Sequence, residues 1–432
     1  MQPIRIHINQ LGLVSNADLE ITPVMVFSGE SGLGKSYLAI LSHYFFEVWL
    51  NERRVDAFFK SFSTGRCIDF TDSNLEVDDN GTALTMKKNE LEQWLAKDAV
   101  QYLGYMIGFS GIQGSIEVKL PESVGEDIEF RYERELMGLD NEEDLYWTVS
   151  VMHLRYRFRK LGIEDESPYS YLLRHAMIAE IFGNFRSITS TFVFPPSRGA
   201  FFSESVSAKT GLFKSFIDGM RSLDEANEMP ETSAAESVAL FRSLMEGEVQ
   251  KNGDRYIYVT HGDELPIAAA ASSVREMAPL QLILNKRDIS KTVMLIEEPE
   301  AHLHPLKQRK IADAIVAMAQ GGANMQITTH SDYFLRRLND LIRLHFIARK
   351  MSEQEFTSFC KENNLKDQLM LDPSLLSAYF LERRSDGQSV NVLRQELHMG
   401  VPFDTFKVIN ANPMAESAML YETAMNLSDE MR

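Results

Sequence analysis

A glycine-rich segment near the N-terminus has the composition and spacing of a phosphate-binding loop. Residues 29–36 read GESGLGKS and match the pattern G-x-x-x-x-G-K-[ST]. Glycines let backbone N–H groups turn towards phosphate oxygens, and a helix that starts after them directs its positive end to the same point. Lys35 is expected to reach the β- and γ-phosphates of ATP, and Ser36 to ligate Mg²⁺. The alternative is a glycine turn without a ligand. The residues predicted to bind the nucleotide are Gly29, Glu30, Ser31, Gly32, Leu33, Gly34, Lys35 and Ser36.

Two neighbouring acids follow an apolar run late in the chain. Residues 293–296 read VMLI, and Glu297 and Glu298 come directly after them. An apolar strand that ends in two acids resembles a Walker B element. Glu297 would hold Mg²⁺, directly or through water, and Glu298 would orient or deprotonate the attacking water. The alternative is a strand that ends in solvated acids, but the phosphate-binding pattern in the same chain favours the catalytic interpretation.

A histidine lies at the end of another predicted strand. Residues 327–331 read ITTHS, about thirty residues after the two acids. At that place His330 would hydrogen-bond the γ-phosphate or position the attacking water. The alternative is a strand-end histidine that only bonds its neighbours. We therefore predict Glu298 and His330 as the catalytic residues.

Ser273 and Glu276 form an S-x-x-E pattern, which predicts a capping box and the start of a helix. Capping alone would explain this pattern. A capped helix end is also an anion site, so the same feature could face a phosphate bound by a second subunit. Arg198 follows two prolines in the segment PPSR. It could sense phosphate, link the sheet to an insertion, or form a surface ion pair.

Hydrophobic patterning indicates the elements that must position these residues. Short apolar strands are expected at 24–28, 190–194, 292–296 and 324–328, with helices after the glycine-rich loop and at 306–319. This β–α–β alternation predicts an α/β protein with a parallel sheet and a ligand site at the carboxyl ends of its strands. Two further strands are expected between residues 4 and 21, which gives a mixed N-terminal sheet beside the parallel one.

The pattern divides the chain into three parts. Residues 1–50 and 188–345 are predicted to form the ATPase core, and residues 51–187 a large, mostly helical insertion. Residues 346–432 are predicted to form a small α+β tail, with a strand near 378–382 and a helix from residue 415.

Composition limits the classes of function. The chain has 432 residues, of which 44% are hydrophobic and 25% charged, which is enough to bury a core. No run approaches the roughly 20 apolar residues of a membrane span, and no signal peptide is apparent, so we expect a soluble cytoplasmic protein. The two cysteines have no metal-ligand spacing. A net charge of −18 disfavours a protein that binds nucleic acid through a basic face.

Together these residues resemble the ABC-type ATPase head that RecF, SMC and OLD-family proteins share. The sequences EEPEAHLHP (297–305) and TTHS (328–331) look most like the OLD-like prokaryotic ATPases. The resemblance implies that Ser272 and Ser273 belong to the signature motif, which would complete the ATP site of a partner subunit in a head-to-head dimer. Two positions depart from the family pattern: Val274 stands where the signature usually has glycine, and Glu297 where many relatives have aspartate.

The resemblance also implies a role and partners. No acidic run after residue 346 looks like the TOPRIM nuclease of OLD proteins, and no long heptad arms are present. Stand-alone ATPases of this sort resemble subunits of anti-phage defence systems such as PARIS, Septu and retron-associated systems, and length points to the PARIS type. We therefore expect an ATPase that uses ATP and Mg²⁺ and forms at least a dimer. A separately encoded effector and a phage protein trigger would be its partners. A RecF-like DNA-repair ATPase that binds DNA directly is the main alternative, and a metabolic NTPase a third.

Overall fold

The computed structural model describes residues 3–62, 67–72, 75–137, 144–159, 161, 165–184, 186–202, 208–223, 235–253, 255–385, 387–397 and 401. Within them the chain forms sixteen strands and ten α-helices. The strands are β1 (Arg5–Leu11), β2 (Val14–Glu20), β3 (Val24–Gly29), β4 (Asn80–Lys87), β5 (Gly114–Lys119), β6 (Asp127–Met137), β7 (Asp144–Val151), β8 (Leu154–Phe158), β9 (Ser190–Phe194), β10 (Glu248–Asn252), β11 (Arg255–Thr260), β12 (Asp263–Pro266), β13 (Thr292–Glu297), β14 (Asn324–Thr329), β15 (Leu376–Arg383) and β16 (Val390–Arg394). The helices are α1 (Lys35–Glu47), α2 (Glu52–Phe62), α3 (Lys88–Ile107), α4 (Pro168–Phe182), α5 (Gly211–Ser222), α6 (Ala235–Met245), α7 (Ser272–Lys286), α8 (Pro305–Gln320), α9 (Asp332–Ala348) and α10 (Glu353–Glu362).

A mixed sheet of nine described strands forms the centre of the molecule. Its strand order is β5-β1-β2-β16-β15-β3-β14-β13-β9. The section from β15 to β9 is parallel, whereas β5, β1 and β2 pair antiparallel with one another. The carboxyl ends of β3, β13 and β14 therefore meet at one edge, where parallel sheets bind their ligands. The α/β class, with an antiparallel section beside a parallel P-loop sheet, is confirmed.

The central strands β3, β13 and β14 are buried along almost their whole length because helices cover both faces of the sheet. Along β3, Met25 and Phe27 face one apolar cluster, and Val24 and Val26 face the other. β13 divides its side chains between the same two clusters. Helix α1 packs in the first cluster, and α7, α8 and α9 pack in the second. The glycine-rich loop and the two acids thus project from strands that are held on both sides.

The insertion differs from the expectation of a mostly helical segment. Within residues 51–187 the described part contains the helices α2, α3 and α4 together with five strands. Four of these strands form a separate antiparallel sheet in the order β4-β6-β7-β8, and β5 joins the central sheet. The reason is visible in β6, where Ile128, Phe130 and Tyr132 alternate with charged residues and their side chains are buried on one face.

The C-terminal extension contributes to the centre of the sheet. Strand β15, which includes the strand predicted near 378–382, pairs in parallel with β3, the strand that leads into the glycine-rich loop. Strand β16 continues the sheet towards β2. The helix predicted from residue 415 lies outside the described residues. No helix in the described ranges combines the length and apolar character required to cross a membrane.

Candidate functional site

The glycine-rich loop connects β3 to α1, as the sequence predicted. Gly29, Gly32 and Gly34 have φ angles of 132°, 77° and 98°. Residues other than glycine rarely adopt this backbone conformation. Gly29 has a second constraint, because a Cβ there would lie 2.3 Å from the backbone oxygen of Leu381 in β15. Gly34 is the N-cap of α1 and has no side chain to satisfy the first N–H groups of the helix. The loop therefore offers free N–H groups at the positive end of a helix, which is an anion site.

Lys35 lies at the first position of α1, and only 5% of it is exposed. Its Nζ donates to the backbone oxygens of Gly29 at 2.9 Å and Glu30 at 2.7 Å, so the side chain curls back across the loop. Burial lowers the pKa of Lys35 from 10.5 to about 8, although Glu298 and other nearby carboxylates oppose this shift. A bound phosphate would add negative charge beside this buried ammonium group and raise its pKa again.

Glu297 ends β13 and is buried beside the loop. Burial raises the pKa of this glutamate, and the nearby Ser36 hydroxyl opposes the shift. Its Oε1 has no hydrogen-bond partner among the described residues. An unpartnered buried carboxylate oxygen next to a hydroxyl is the donor set that Mg²⁺ prefers, so the residues present fit a magnesium ion.

Glu298 occupies a tight turn directly after β13. Its φ angle is 47°, which is uncommon for any residue with a side chain. Its backbone N–H donates to the carbonyl oxygen of Thr328 at 3.0 Å, which ties the turn to β14. The carboxylate is half-exposed, and its Oε1 lies 3.1 Å from Nε2 of His330. This hydrogen bond is the main reason why the pKa of Glu298 is lowered, so the carboxylate is ionised and able to accept a proton.

His330 follows β14 and links Glu298 to Lys35. Its Nδ1 lies 3.2 Å from Nζ of Lys35. An ammonium group only donates, so Nδ1 must accept from Lys35, and Nε2 carries the hydrogen that is donated to Glu298. The backbone N–H of His330 donates to Oε1 of the buried Glu300 at 2.8 Å, which fixes the loop that carries the ring. The structure thus joins Lys35, His330 and Glu298 in one hydrogen-bonded chain.

A cavity of about 440 Å³ brings these residues together. It contains five of the predicted loop residues and both predicted catalytic side chains. The cavity is lined by Gly12, Leu13, Ser31, Gly32, Gly34, Lys35, Ser36, Tyr37, Glu298, Thr328 and His330. Sequence reasoning missed Gly12, Leu13 and Tyr37. Tyr37 directly follows the motif and could have been found there, whereas Gly12 and Leu13 lie in the turn between β1 and β2, and only the folded sheet places them at the loop.

The predicted capping box at the start of α7 is wrong. The helix begins at Ser272, so its N-cap is Ala271 rather than Ser273, and this N-cap makes no side-chain hydrogen bond. Glu276 is buried, and its Oε2 is 4.0 Å from Nε of Arg198. Neither Ser272 nor Ser273 lines the cavity that contains the P-loop. Both lie in the first turn of the helix outside the core, whereas Val274 is buried in the second apolar cluster.

Arg198 is not a surface residue. It is fully buried in a short 3-10 helix (Arg198–Phe202) that follows β9, beside the two acids. Its guanidinium contacts backbone oxygens, among them that of Glu297 at 3.0 Å. Of the three alternatives for Arg198, the surface ion pair is therefore wrong, and the guanidinium does not line the cavity.

Similar proteins are found among solved structures and among family models. No curated protein matches the sequence. Three similar solved structures are an SMC head bound to the C-winged helix domain of ScpA, the SMC head domain from Thermotoga maritima, and an Smc head with an extended coiled coil bound to the C-terminal domain of ScpA derived from Pyrococcus furiosus. In that order, their TM-scores are 0.38, 0.35 and 0.37, and their sequence identities are 11%, 10% and 10%. The alignments cover 92%, 92% and 95% of this chain, and 98%, 100% and 99% of the other chains.

A family model described as "AAA domain, putative AbiEii toxin, Type IV TA system" matches residues 114–336, slightly more than half of the chain. The matched part contains Glu297, Glu298 and His330, while the P-loop precedes it and is supported by its motif and its geometry. Glu298 and His330 share the cavity with the P-loop, Glu297 ends strand β13 beside it, and the sheet has the architecture of an ABC-type P-loop ATPase head. This chain therefore belongs to the AAA-domain family of putative AbiEii toxins, and within it to the P-loop ATPases with an ABC-type head.

Proposed function

We propose that this protein hydrolyses ATP to ADP and phosphate. The observation that carries the proposal is the single cavity in which Lys35, Ser36, Glu298 and His330 meet. The N–H groups of the loop and the ammonium group of Lys35 would bind the phosphates. Mg²⁺, held by Ser36 and Glu297, would neutralise charge on the phosphate oxygens.

Glu298 is the proposed general base. A water oxygen attacks the γ-phosphorus, the bond from that phosphorus to the bridging oxygen of ADP breaks, and the water proton passes to the Glu298 carboxylate. His330 orients this carboxylate through the hydrogen bond from Nε2. The lowered pKa of Glu298 keeps it in the ionised form that accepts the proton.

The first test replaces Lys35 by alanine. ATP affinity and turnover should both fall, because Lys35 is the one cationic side chain that lines the described cavity. Lys60→Ala, an exposed lysine on α2, is the matched control and should behave as the wild type. Phosphate release and binding of a fluorescent ATP analogue are the measurements. Unchanged turnover in Lys35→Ala would contradict the proposal.

We also propose that the working unit is an ATP-dependent dimer. The side chains of His330 and Glu298 are 32% and 38% exposed, whereas phosphoryl transfer needs a site that excludes water. Three apolar side chains at this edge are also exposed: Leu13 by 41%, Leu306 by 68% and Tyr333 by 48%. A symmetric dimer would cover these side chains and bring Ser272 and Ser273 of each copy to the nucleotide of the other.

The test is the mass in solution, measured by light scattering with and without ATP for the wild type and Glu298→Gln. ATP should shift both towards a dimer, and Glu298→Gln should remain dimeric for longer because it retains its ATP. Ser273→Arg should bind ATP but hydrolyse little. Full ATP turnover by a protein that stays monomeric would exclude the dimer.

At the level of biology, we propose a subunit of an anti-phage defence system that controls a separately encoded effector nuclease and responds to a phage protein. Support comes from the family description, which names a toxin of a toxin–antitoxin system. The test is phage plating on cells that express this chain together with the product of the neighbouring reading frame. Protection should require Lys35 and Glu298. If plating is unchanged and the pure protein binds plasmid DNA in a salt-dependent manner, the DNA-repair alternative is favoured, against a net charge of −18.

A further inference from the structure

Arg198 uses every hydrogen-bond donor of its side chain inside the protein. The residue is fully buried, and a guanidinium has five N–H groups. Five backbone carbonyl oxygens lie within hydrogen-bond distance of its three nitrogens. Nε donates to Glu276 at 2.8 Å, Nη1 to Pro195 at 3.4 Å and Glu297 at 3.0 Å, and Nη2 to Glu298 at 3.4 Å and Pro299 at 3.3 Å.

Three of these acceptors are consecutive residues, 297 to 299, and they form the turn that carries the proposed base. Glu298 has the left-handed φ angle within that turn. Such a conformation is strained for a residue with a side chain and persists only where the surroundings impose it. The planar fork of one guanidinium fixes the direction of all three carbonyl groups, and thereby the direction in which the Glu298 side chain leaves the backbone.

The other side of Arg198 contacts α7. Its Nε bonds the Glu276 carbonyl oxygen, and the Glu276 carboxylate is 4.0 Å away. The next residue, Gly199, approaches the same helix so closely that a Cβ would lie 2.9 Å from Oε1 of Glu276. Arg198 is therefore clamped between the turn of Glu298 and the second turn of α7, the helix that starts at Ser272.

We infer that Arg198 is a positioning residue for ATP hydrolysis, which holds Glu298 in its catalytic direction and ties it to the start of α7. This inference depends on the proposed ATPase function. It assigns no phosphate contact to Arg198, since all five donors are used by backbone oxygens. A shift of α7 when its exposed end contacts a ligand would be transmitted to Glu298 through this guanidinium.

Arg198→Lys is the direct test. Lysine keeps the charge, but its single ammonium group cannot bond carbonyl oxygens on both sides of the fork. The expected result is a fall in kcat of about 10- to 100-fold, the scale of a small displacement of a catalytic group. The KM for ATP and the affinity for a fluorescent ATP analogue should change less than about threefold, because the residues that bind ATP in its ground state are unchanged. Arg174→Lys, a partly buried arginine that bonds Glu166 in the insertion, is the matched control and should retain the wild-type kcat.

A double-mutant cycle separates positioning from general stability. If Arg198 acts through Glu298, the variant Arg198→Lys/Glu298→Gln should hydrolyse ATP no more slowly than Glu298→Gln alone. If the double variant instead shows the product of the two single falls in kcat, the inference is wrong. A folded Arg198→Lys protein with wild-type kcat also overturns it. Absence of hydrolysis by the wild type would instead refute the proposed function.

Gly199→Ala provides a second variant in case Arg198→Lys does not fold. The added methyl group would push Arg198 and the first turns of α7 apart while every donor remains. We expect kcat to fall about tenfold with an unchanged KM. Wild-type kcat in this variant, with its melting temperature lowered, would show that the contact serves stability only and would overturn the inference.

Discussion

Nucleotide affinity should decrease as the pH rises above about 8. The reason is Lys35, whose pKa in the free protein is lowered to about 8 by burial. Phosphate binding needs the ammonium form, because it donates charge-assisted hydrogen bonds. Once phosphate oxygens surround the ammonium group, its pKa must rise again, since an opposite charge nearby favours the charged form. Binding of ATP is therefore coupled to uptake of a proton.

The size of this effect follows from the two pKa values. At pH 8 about half of the free protein has a neutral Lys35, so binding should take up about half a proton. Each further pH unit should lower the affinity about tenfold, up to about 300-fold at the ordinary lysine pKa of 10.5. Below pH 7 the ionisation of Lys35 should no longer change the affinity.

The same pKa shift affects folding. From pH 8 to 10.5 the unfolded chain binds more protons than the folded one, so this lysine makes the free energy of unfolding rise with pH. The loss of affinity is therefore not unfolding caused by Lys35.

The measurement is the affinity for Mg²⁺ and a fluorescent ATP analogue between pH 7 and 9.5. Calorimetry at pH 8 in two buffers of different ionisation enthalpy gives the number of protons taken up. Lys35→Arg is the control, because arginine stays charged throughout this range. Its affinity should be nearly flat with pH, whatever its absolute value. If the wild-type affinity is also flat up to pH 9.5, Lys35 does not have the lowered pKa, and the reasoning fails.

Two further predictions concern the acids and the histidine. Glu298→Gln should lower ATP turnover by about 10²-fold or more while ATP binding persists, because the amide keeps the shape but cannot accept a proton; if Glu297→Gln does this instead and still binds Mg²⁺ and ATP, the two roles are reversed. His330→Ala removes the hydrogen bond that chiefly lowers the pKa of Glu298, so that pKa should rise and the acid limb of the kcat–pH profile should move to higher pH. An acid limb at the wild-type position in His330→Ala would show that His330 does not set the ionisation of Glu298.

Much of the site could be predicted from the sequence because it depends on local patterns. The loop of residues 29–36, the strand before Glu297 and the strand before His330 each occupy fewer than ten consecutive residues. The change from apolar to polar residues marks where each strand ends, and parallel strands bring those ends to one edge of the sheet. Local patterns also have limits, as the start of α7 shows. The S-x-x-E spacing fits a capping box, but Glu276 is buried beside Arg198 and cannot serve as one.

The contacts that the sequence did not reveal join residues that are far apart along the chain. Strand β15 pairs with β3 although about 350 residues separate them, and its Leu381 carbonyl explains why residue 29 must be glycine. Arg198 reaches carbonyl oxygens about 100 residues away. Backbone carbonyl groups exist in every residue, so no sequence pattern marks these acceptors. Such contacts are fixed by sheet order, and sheet order is a property of the whole fold.

The free site holds several groups in states that are costly without a ligand. Lys35 is buried with a lowered pKa, and Glu297 is buried with a raised pKa and an unpartnered Oε1 within the described part of the chain. Glu298 adds a left-handed φ angle. Mg²⁺ and phosphate would relieve the first two costs together, because each supplies the charge that the buried group lacks. The angle at Glu298 would remain, since the three carbonyl contacts of Arg198 within that turn do not involve the nucleotide. Binding and hydrolysis thus depend on different residues, so a variant at Arg198 can lose turnover while it still binds ATP.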